Sequence, residues 1–141
     1  MTPDQVKLVQ RSFAKVAPIA DTAATMFYDR LFETTPAVKP LFRGEMKTQR
    51  NKLMATLATV VAGLGNLEAI LPVASALARR HVGYGVKPEH YASVGAAFLW
   101  TLEQGLGDSW TSDTAAAWSA VYATLSQYMI SEAYGRPQAA E

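Results

Sequence analysis

Apolar side chains along this chain recur mostly at three- and four-residue spacing, with small breakers between the runs. That rhythm predicts helices rather than strands. Val6, Val9, Phe13 and Val16 share one face, and Thr2-Pro3-Asp4-Gln5 before them supplies a capping threonine, a first-turn proline and a returning glutamine. The chain breaks around Pro18, after which Ala20, Ala24, Phe27, Tyr28 and Leu31 predict a second helix. Thr35-Pro36 opens a short turn-like segment running to Leu41, and Phe42-Arg43-Gly44 reads as a loop. From about Lys47, the positions Gln49, Leu53, Leu57, Val60 and Leu64 fall on one face, stopped by Gly63 and Gly65. Asn66 is placed to cap the next helix, whose stripe is Ile70, Val73, Ala74 and Leu77 and whose end is Gly83-Tyr84-Gly85. A helix starting near Pro88 aligns Tyr91, Val94, Phe98 and Leu102 ahead of Gly105 and Gly107. The last begins at Thr111 to Asp113 and is expected to bury Trp118, Val121, Tyr122, Leu125 and Met129. The expected fold class is all-α, about six long helices plus a short one. One domain spans 1–135, with 136–141 a frayed tail.

Length and composition narrow the function classes. A chain of 141 residues holds one domain with a sizeable core. Half the residues are hydrophobic and 18% are charged, a globular balance. The formal net charge is only +1, which leaves no overall basic character for nucleic acid. The absence of cysteine excludes disulfides, zinc–thiolate sites, iron–sulfur ligation and thiol catalysis. Asp4, Lys7, Arg11 and Lys15 interrupt the first turns, so the start does not read as a signal peptide. No stretch reaches the ~20 apolar residues of a membrane span. A cytoplasmic protein is expected, without nucleic-acid partners or a membrane span.

The residue with most chemistry is His81, which lies on the same face as Ile70, Ala74 and Leu77 and follows Arg79 and Arg80. An imidazole closing an apolar stripe needs a hydrogen-bond partner or a ligand. Taken singly, it has an ordinary reading as a satisfied core histidine. So do Tyr28 as an amphipathic core residue, Phe42 as a loop aromatic and Gln49 as a solvated helix start.

Taken together and in order, these residues resemble the globins, above all the bacterial single-domain globins and the globin half of flavohaemoglobins. The matching text is Phe27-Tyr28-Asp29-Arg30-Leu31-Phe32, then Pro36 with Pro40-Leu41-Phe42, then Gln49-Arg50-Asn51-Lys52-Leu53-Met54. Asn66-Leu67-Glu68 with Leu71-Pro72, Arg80-His81, Lys87-Pro88-Glu89-His90-Tyr91 with Val94-Gly95, and Trp118 with Tyr122 continue it. The likeness runs from about Val6 to Tyr134, and implies a globin fold packed around a haem pocket.

The resemblance implies one b-type haem, held without covalent attachment, with His81 as the iron ligand. It places Phe42 stacked on the haem, Tyr28 and Gln49 as the distal pair toward a bound gas, and Leu53 roofing the pocket. Lys52 would sit at the edge of its helix, within reach of a propionate. Leu77, Val86, Tyr91, Val94 and Phe98 would line the pocket. Bound dioxygen carries partial negative charge, and a phenol O–H and an amide N–H are neutral donors compatible with apolar walls.

Two departures from the family pattern bear on function. Counted from Trp118, the carboxylate that flavohaemoglobins place beside the proximal histidine and a tyrosine falls on Ala133, with Glu132 one residue early. One helical residue is a rotation of about 100°, so a strong proximal network is not expected. The loop between Phe42 and Gln49 is also short for that group. No Gly-rich dinucleotide motif follows, so electrons are expected from a separate reductase. The leading function is reversible dioxygen binding for storage, delivery or scavenging, with no catalytic residue assigned. The alternative is nitric oxide dioxygenation with an external reductase; carbon monoxide would occupy the same site. A haem-based gas sensor stands behind both, for want of a transmitter segment.

Overall fold

The computed structural model describes residues 2–134. The expected tail, 136–141, lies outside the described residues. Six helices carry the fold: α1 (Pro3–Val16), α2 (Ala20–Thr34), α3 (Met46–Gly63), α4 (Leu67–Gly83), α5 (His90–Leu106) and α6 (Ser112–Tyr134). Short 3-10 turns occupy Ala17–Ile19, Pro36–Leu41 and Gly107–Ser109, and no strand occurs among the described residues. The all-α expectation holds. The break at Pro18 is no loop but a single 3-10 turn that feeds straight into α2.

The helix starts follow local chemistry unevenly. At α1 the capping box is complete: Gln5 N–H donates to Thr2 Oγ1 at 3.2 Å, and Thr2 N–H donates to Gln5 Oε1 at 2.9 Å. Asn66 does occupy the N-cap position of α4, but its side chain makes no capping bond. Composition named the cap; the local backbone turned the amide away.

Packing divides the molecule in two. One half is a closed core in which α1 crosses α6 and α3. Val9, Phe13, Val16, Val61, Leu64, Leu102 and Trp118 are all buried there. The Trp118 indole is satisfied inside it, donating to Ser12 Oγ at 2.8 Å, while Ser12 donates onward to the Leu8 carbonyl at 2.7 Å. In the other half α2 packs on α5 and α4 packs on α6. Gly95 lets α5 and α6 close up, since a Cβ there would lie 2.6 Å from the Tyr122 ring. Tyr122 is half-buried rather than buried, and its hydroxyl donates to the Tyr91 carbonyl across that approach. Leu125 is likewise only half-buried, whereas Trp118, Val121 and Met129 are buried as expected.

Two apolar faces differ from the sequence pattern. Val73, counted into the inward stripe of α4, is exposed; Ile70, Ala74, Ser75 and Ala78 are the buried positions. α6 covers α4 from a direction that periodicity cannot supply. On α3 the expected face is only partly covered: Gln49, Leu53, Leu57 and Val60 are half-buried, Leu64 just past its end is buried as expected, and within the helix Val61 is the buried residue.

Candidate functional site

α5 takes part in two apolar walls. On one side Phe27, Tyr28 and Leu31 of α2, Val38, and Ala97 of α5 form a buried cluster. Phe42, Leu53, Val94 and Phe98 pack against it. On the other side Ala74 and Ala78 of α4, Tyr91 of α5 and Met129 of α6 form a second, with Leu77, Val86 and Ala133 against it. Of the sequence-nominated residues, Tyr28, Phe42, Leu53, Val94 and Phe98 fall on the first wall, Phe98 also packing against the closed core, and Leu77, Val86 and Tyr91 fall on the second.

The first wall is built from aromatics. Phe42 follows the 3-10 turn and sets its ring edge-on to Tyr28 at 5.3 Å and Phe32 at 5.4 Å between centroids. Tyr28 also meets Phe27 edge-to-face at 4.9 Å. Its side chain is 4% exposed, and burial raises the pKa of its phenol, with the Gln49 bond acting the other way. Gln49, on the first turn of α3, donates Nε2–H to the Tyr28 hydroxyl at 3.2 Å. The phenol oxygen therefore accepts, and its own proton stays available to donate. The sequence names tyrosine and glutamine as a pair with glutamine in support, and the structure joins the two by this bond.

The second wall holds its histidine through backbone. His81 Nδ1 lies 2.7 Å from the Leu77 carbonyl, an acceptor, which assigns the ring proton to Nδ1 and leaves Nε2 with a free lone pair. Burial lowers the imidazole pKa, the Leu77 bond opposes this, and Arg80 adds to the lowering, so the ring is neutral at neutral pH. The end of α4 then folds back on the same residue. Val86 N–H donates to the His81 carbonyl at 3.0 Å and Gly85 N–H to the Val82 carbonyl at 3.0 Å. That is a Schellman closure with Gly85 in the left-handed region at φ +90°. Tyr134, near the end of α6, donates its hydroxyl to the Val86 carbonyl and clamps the turn from outside.

Glu132 does not join this wall's histidine. Its Oε1 accepts from Ser75 Oγ at 2.9 Å, two turns earlier on α4, as the one-residue offset required. Ala133 packs in the cluster instead, and the Tyr91 hydroxyl is buried with no hydrogen-bond partner among the described residues. Burial, and after it the nearby Tyr134, push that phenol up to about 12. The Tyr91 ring sits 6.1 Å from the His81 ring, tilted rather than stacked.

Lys52 is exposed on α3 and has no ion-pair partner among the described residues. Sequence reasoning had Leu31 and Met129 as core positions without assigning them to these walls, and it missed Val38 and Ala97 in the first and the Tyr134 bond beside the second. Val38 lies in a 3-10 turn, where helical spacing gives no signal.

A family model described as Globin matches residues 25–129. A flavohemoprotein of Xylella fastidiosa (strain Temecula1) is 32% identical over 86% of this chain and 31% of its own length. One of Bacillus subtilis is 29% identical over 89% of this chain and 32% of its own. The chain spans about a third of the length of the curated relatives it matches. Among solved structures, a bacterial globin from Campylobacter jejuni superposes with a TM-score of 0.81 at 25% identity, covering 93% of this chain and 95% of that one. The chain belongs to the globin family. The family implies haem, and the donor set suits it: a neutral imidazole with a free Nε2 on one apolar wall, and a phenol donor on the other.

Proposed function

We propose that this globin holds one b-type haem through His81 Nε2 and binds dioxygen reversibly at a site that Tyr28 and Gln49 cover. The observation that carries this is the direction of the 3.2 Å bond: Gln49 donates to Tyr28, so the buried phenol keeps its proton for a ligand. Bound haem would supply the iron that takes the gas. The chain's own part is threefold. His81 anchors from a ring whose Nδ1 proton is tied to the Leu77 carbonyl, which fixes the coordinating nitrogen and its direction. Tyr28 offers a neutral donor to partial negative charge, worth a net ~1 kcal/mol and about twice that where water is excluded. Phe42, Leu53, Val94 and Phe98 supply apolar surface that keeps water and protons off the iron. Lys52 is proposed to pair with a propionate at the rim.

The test is the absorption spectrum of the purified protein, ferric, then reduced, then exposed to air. The expected sequence is a five-coordinate ferrous form that gives a stable oxygenated spectrum and returns to ferrous under argon. A six-coordinate low-spin ferrous spectrum without added ligand would overturn the open distal site.

Nitric oxide dioxygenation is the second reading, supported by the Tyr28–Gln49 pair and by relatives named as flavohemoproteins. It requires electrons from a separate reductase. Stoichiometric conversion of nitric oxide to nitrate by the oxygenated protein, sustained when a reductase is added, distinguishes it from binding alone.

A further inference from the structure

The net charge of +1 conceals a division. Between residues 39 and 90 lie eight of the 13 basic and three of the 12 acidic side chains, so that stretch carries +5 and the remainder −4. The fold brings two segments of this stretch together. The Leu41 side chain lies against Gly85, where a Cβ would meet it at 3.3 Å, so the Pro36–Leu41 turn touches the turn after α4. Lys39 and Arg43 flank Leu41 in sequence, Lys47 follows on the first turn of α3, and Lys87 stands two residues beyond Gly85. All four are exposed, and none is in an ion pair among the described residues. On the same α4 turn Tyr84 is 60% exposed and Val82 43%, large apolar side chains without cover. They stand one and three residues from His81.

We propose that this edge, where the exposed Val82 and Tyr84 and the cations Arg43, Lys47 and Lys87 lie on the two segments that meet at Leu41 and Gly85, is the docking surface for an acidic electron-donor protein. The inference rests on the haem reading above. Complementary charge steers encounter and sets register, while a desolvated aromatic supplies the short-range hold. Docking here brings a donor to the turn that closes on the iron ligand's own carbonyl, so the electron's path through protein is short. One electron leaves the partner's reduced flavin and is taken up by ferric haem, with no bond made or broken.

The experiment uses haem-loaded protein and a flavodoxin, an acidic one-electron flavin donor, as probe. Association of the oxidised pair is followed by NMR titration, without turnover, and reduction by stopped flow under carbon monoxide. The triple variant Arg43→Glu, Lys47→Glu, Lys87→Glu is expected to weaken binding and slow reduction by about ten- to a hundred-fold at low ionic strength. The gap should close to about twofold near 0.5 M salt, where the screening length is only a few ångströms. Tyr84→Ser should weaken binding about threefold or more at every salt concentration. The control pair Lys7→Glu, Arg11→Glu, on α1, should stay within about twofold of the parent. An unchanged triple variant overturns the proposal, as does a control that loses as much. Binding of duplex DNA or anionic vesicles, with flavodoxin reduction indifferent to salt, also overturns it. Failure to take up haem, read from the Soret band before any titration, overturns the haem reading itself; normal uptake with unchanged kinetics overturns only the docking surface.

Discussion

The two apolar walls, one carrying Tyr28 and the other beside His81, hold their polar groups by different means. The Tyr28 wall relies on side chains: a glutamine on α3 donates to a phenol on α2, and aromatic edges from Phe27 and Phe42 fix that ring's plane. The His81 wall relies on backbone: a helical carbonyl takes the ring proton, and a Schellman closure returns to the same residue's own carbonyl. The buried Tyr91 hydroxyl takes no part, and among the described residues the one side-chain bond to the closure comes from Tyr134 to the Val86 carbonyl. A side-chain arrangement can be retuned by one substitution. A backbone arrangement changes only when the helix end itself moves.

The largest effect should come from the single group the backbone wall exists to hold. His81→Ala is expected to abolish the normal ferrous and carbon monoxide spectra, and added imidazole should restore much of them. Normal spectra in that variant, without imidazole, would mean that the two walls have been assigned the wrong way round.

Next comes the side-chain wall. Tyr28→Phe keeps the ring and removes the donor. A loss of ~1–3 kcal/mol should speed dioxygen release about five- to a hundred-fold and leave carbon monoxide release nearly unchanged. Gln49→Leu should act in the same direction but less, because it removes the bond to the phenol and leaves the phenol itself in place. Should Gln49→Leu prove the more severe of the two, the order of that chain of donors is reversed.

A third test strikes the backbone wall away from any ligand. Gly85→Ala forces a side chain into φ +90° and presses a Cβ toward Leu41 at 3.3 Å. A cost of ~1–3 kcal/mol is expected, read from urea unfolding, together with faster loss of haem as the turn under His81 loosens. Unchanged haem loss at reduced stability would separate the turn from the anchor.

The smallest effect should belong to Tyr91→Phe. Removing a buried hydroxyl without a partner should leave stability unchanged or raise it by up to ~1 kcal/mol, with an unaltered carbon monoxide spectrum. A loss above ~1 kcal/mol, or a shifted spectrum, would show that the Tyr91 hydroxyl supports this wall after all.

Much of this was legible in the sequence, and the misses have physical causes. The Glu132 offset could be counted: one residue is about 100° of helix, and the carboxylate duly bonds Ser75 rather than anything beside His81. The exposure of Val73 could not be counted, because three- and four-residue spacing defines a stripe but not which flank its neighbour covers. Asn66 has the right chemistry for a cap, yet the torsions at that residue leave its side chain without the bond. The relation of Gln49 to Tyr28 was half visible. Both residue types were donors on successive helices, but which donates to which depends on how α3 lies across α2.

Local interactions are written in the order of residues, so the chain alone determined the helices, the Thr2–Gln5 capping box, the turn at Gly85 and the sorting of His81 onto an apolar face. Contacts across tens of residues have no such record. Tertiary structure decided that a phenol 21 residues upstream of Gln49 receives its amide proton, and that Tyr91 is buried without a partner. It also brought Leu41 against Gly85 from a distant stretch of the chain. Helical period sets the direction of a side chain from its own axis. Only the packing of one axis on another sets what that side chain meets.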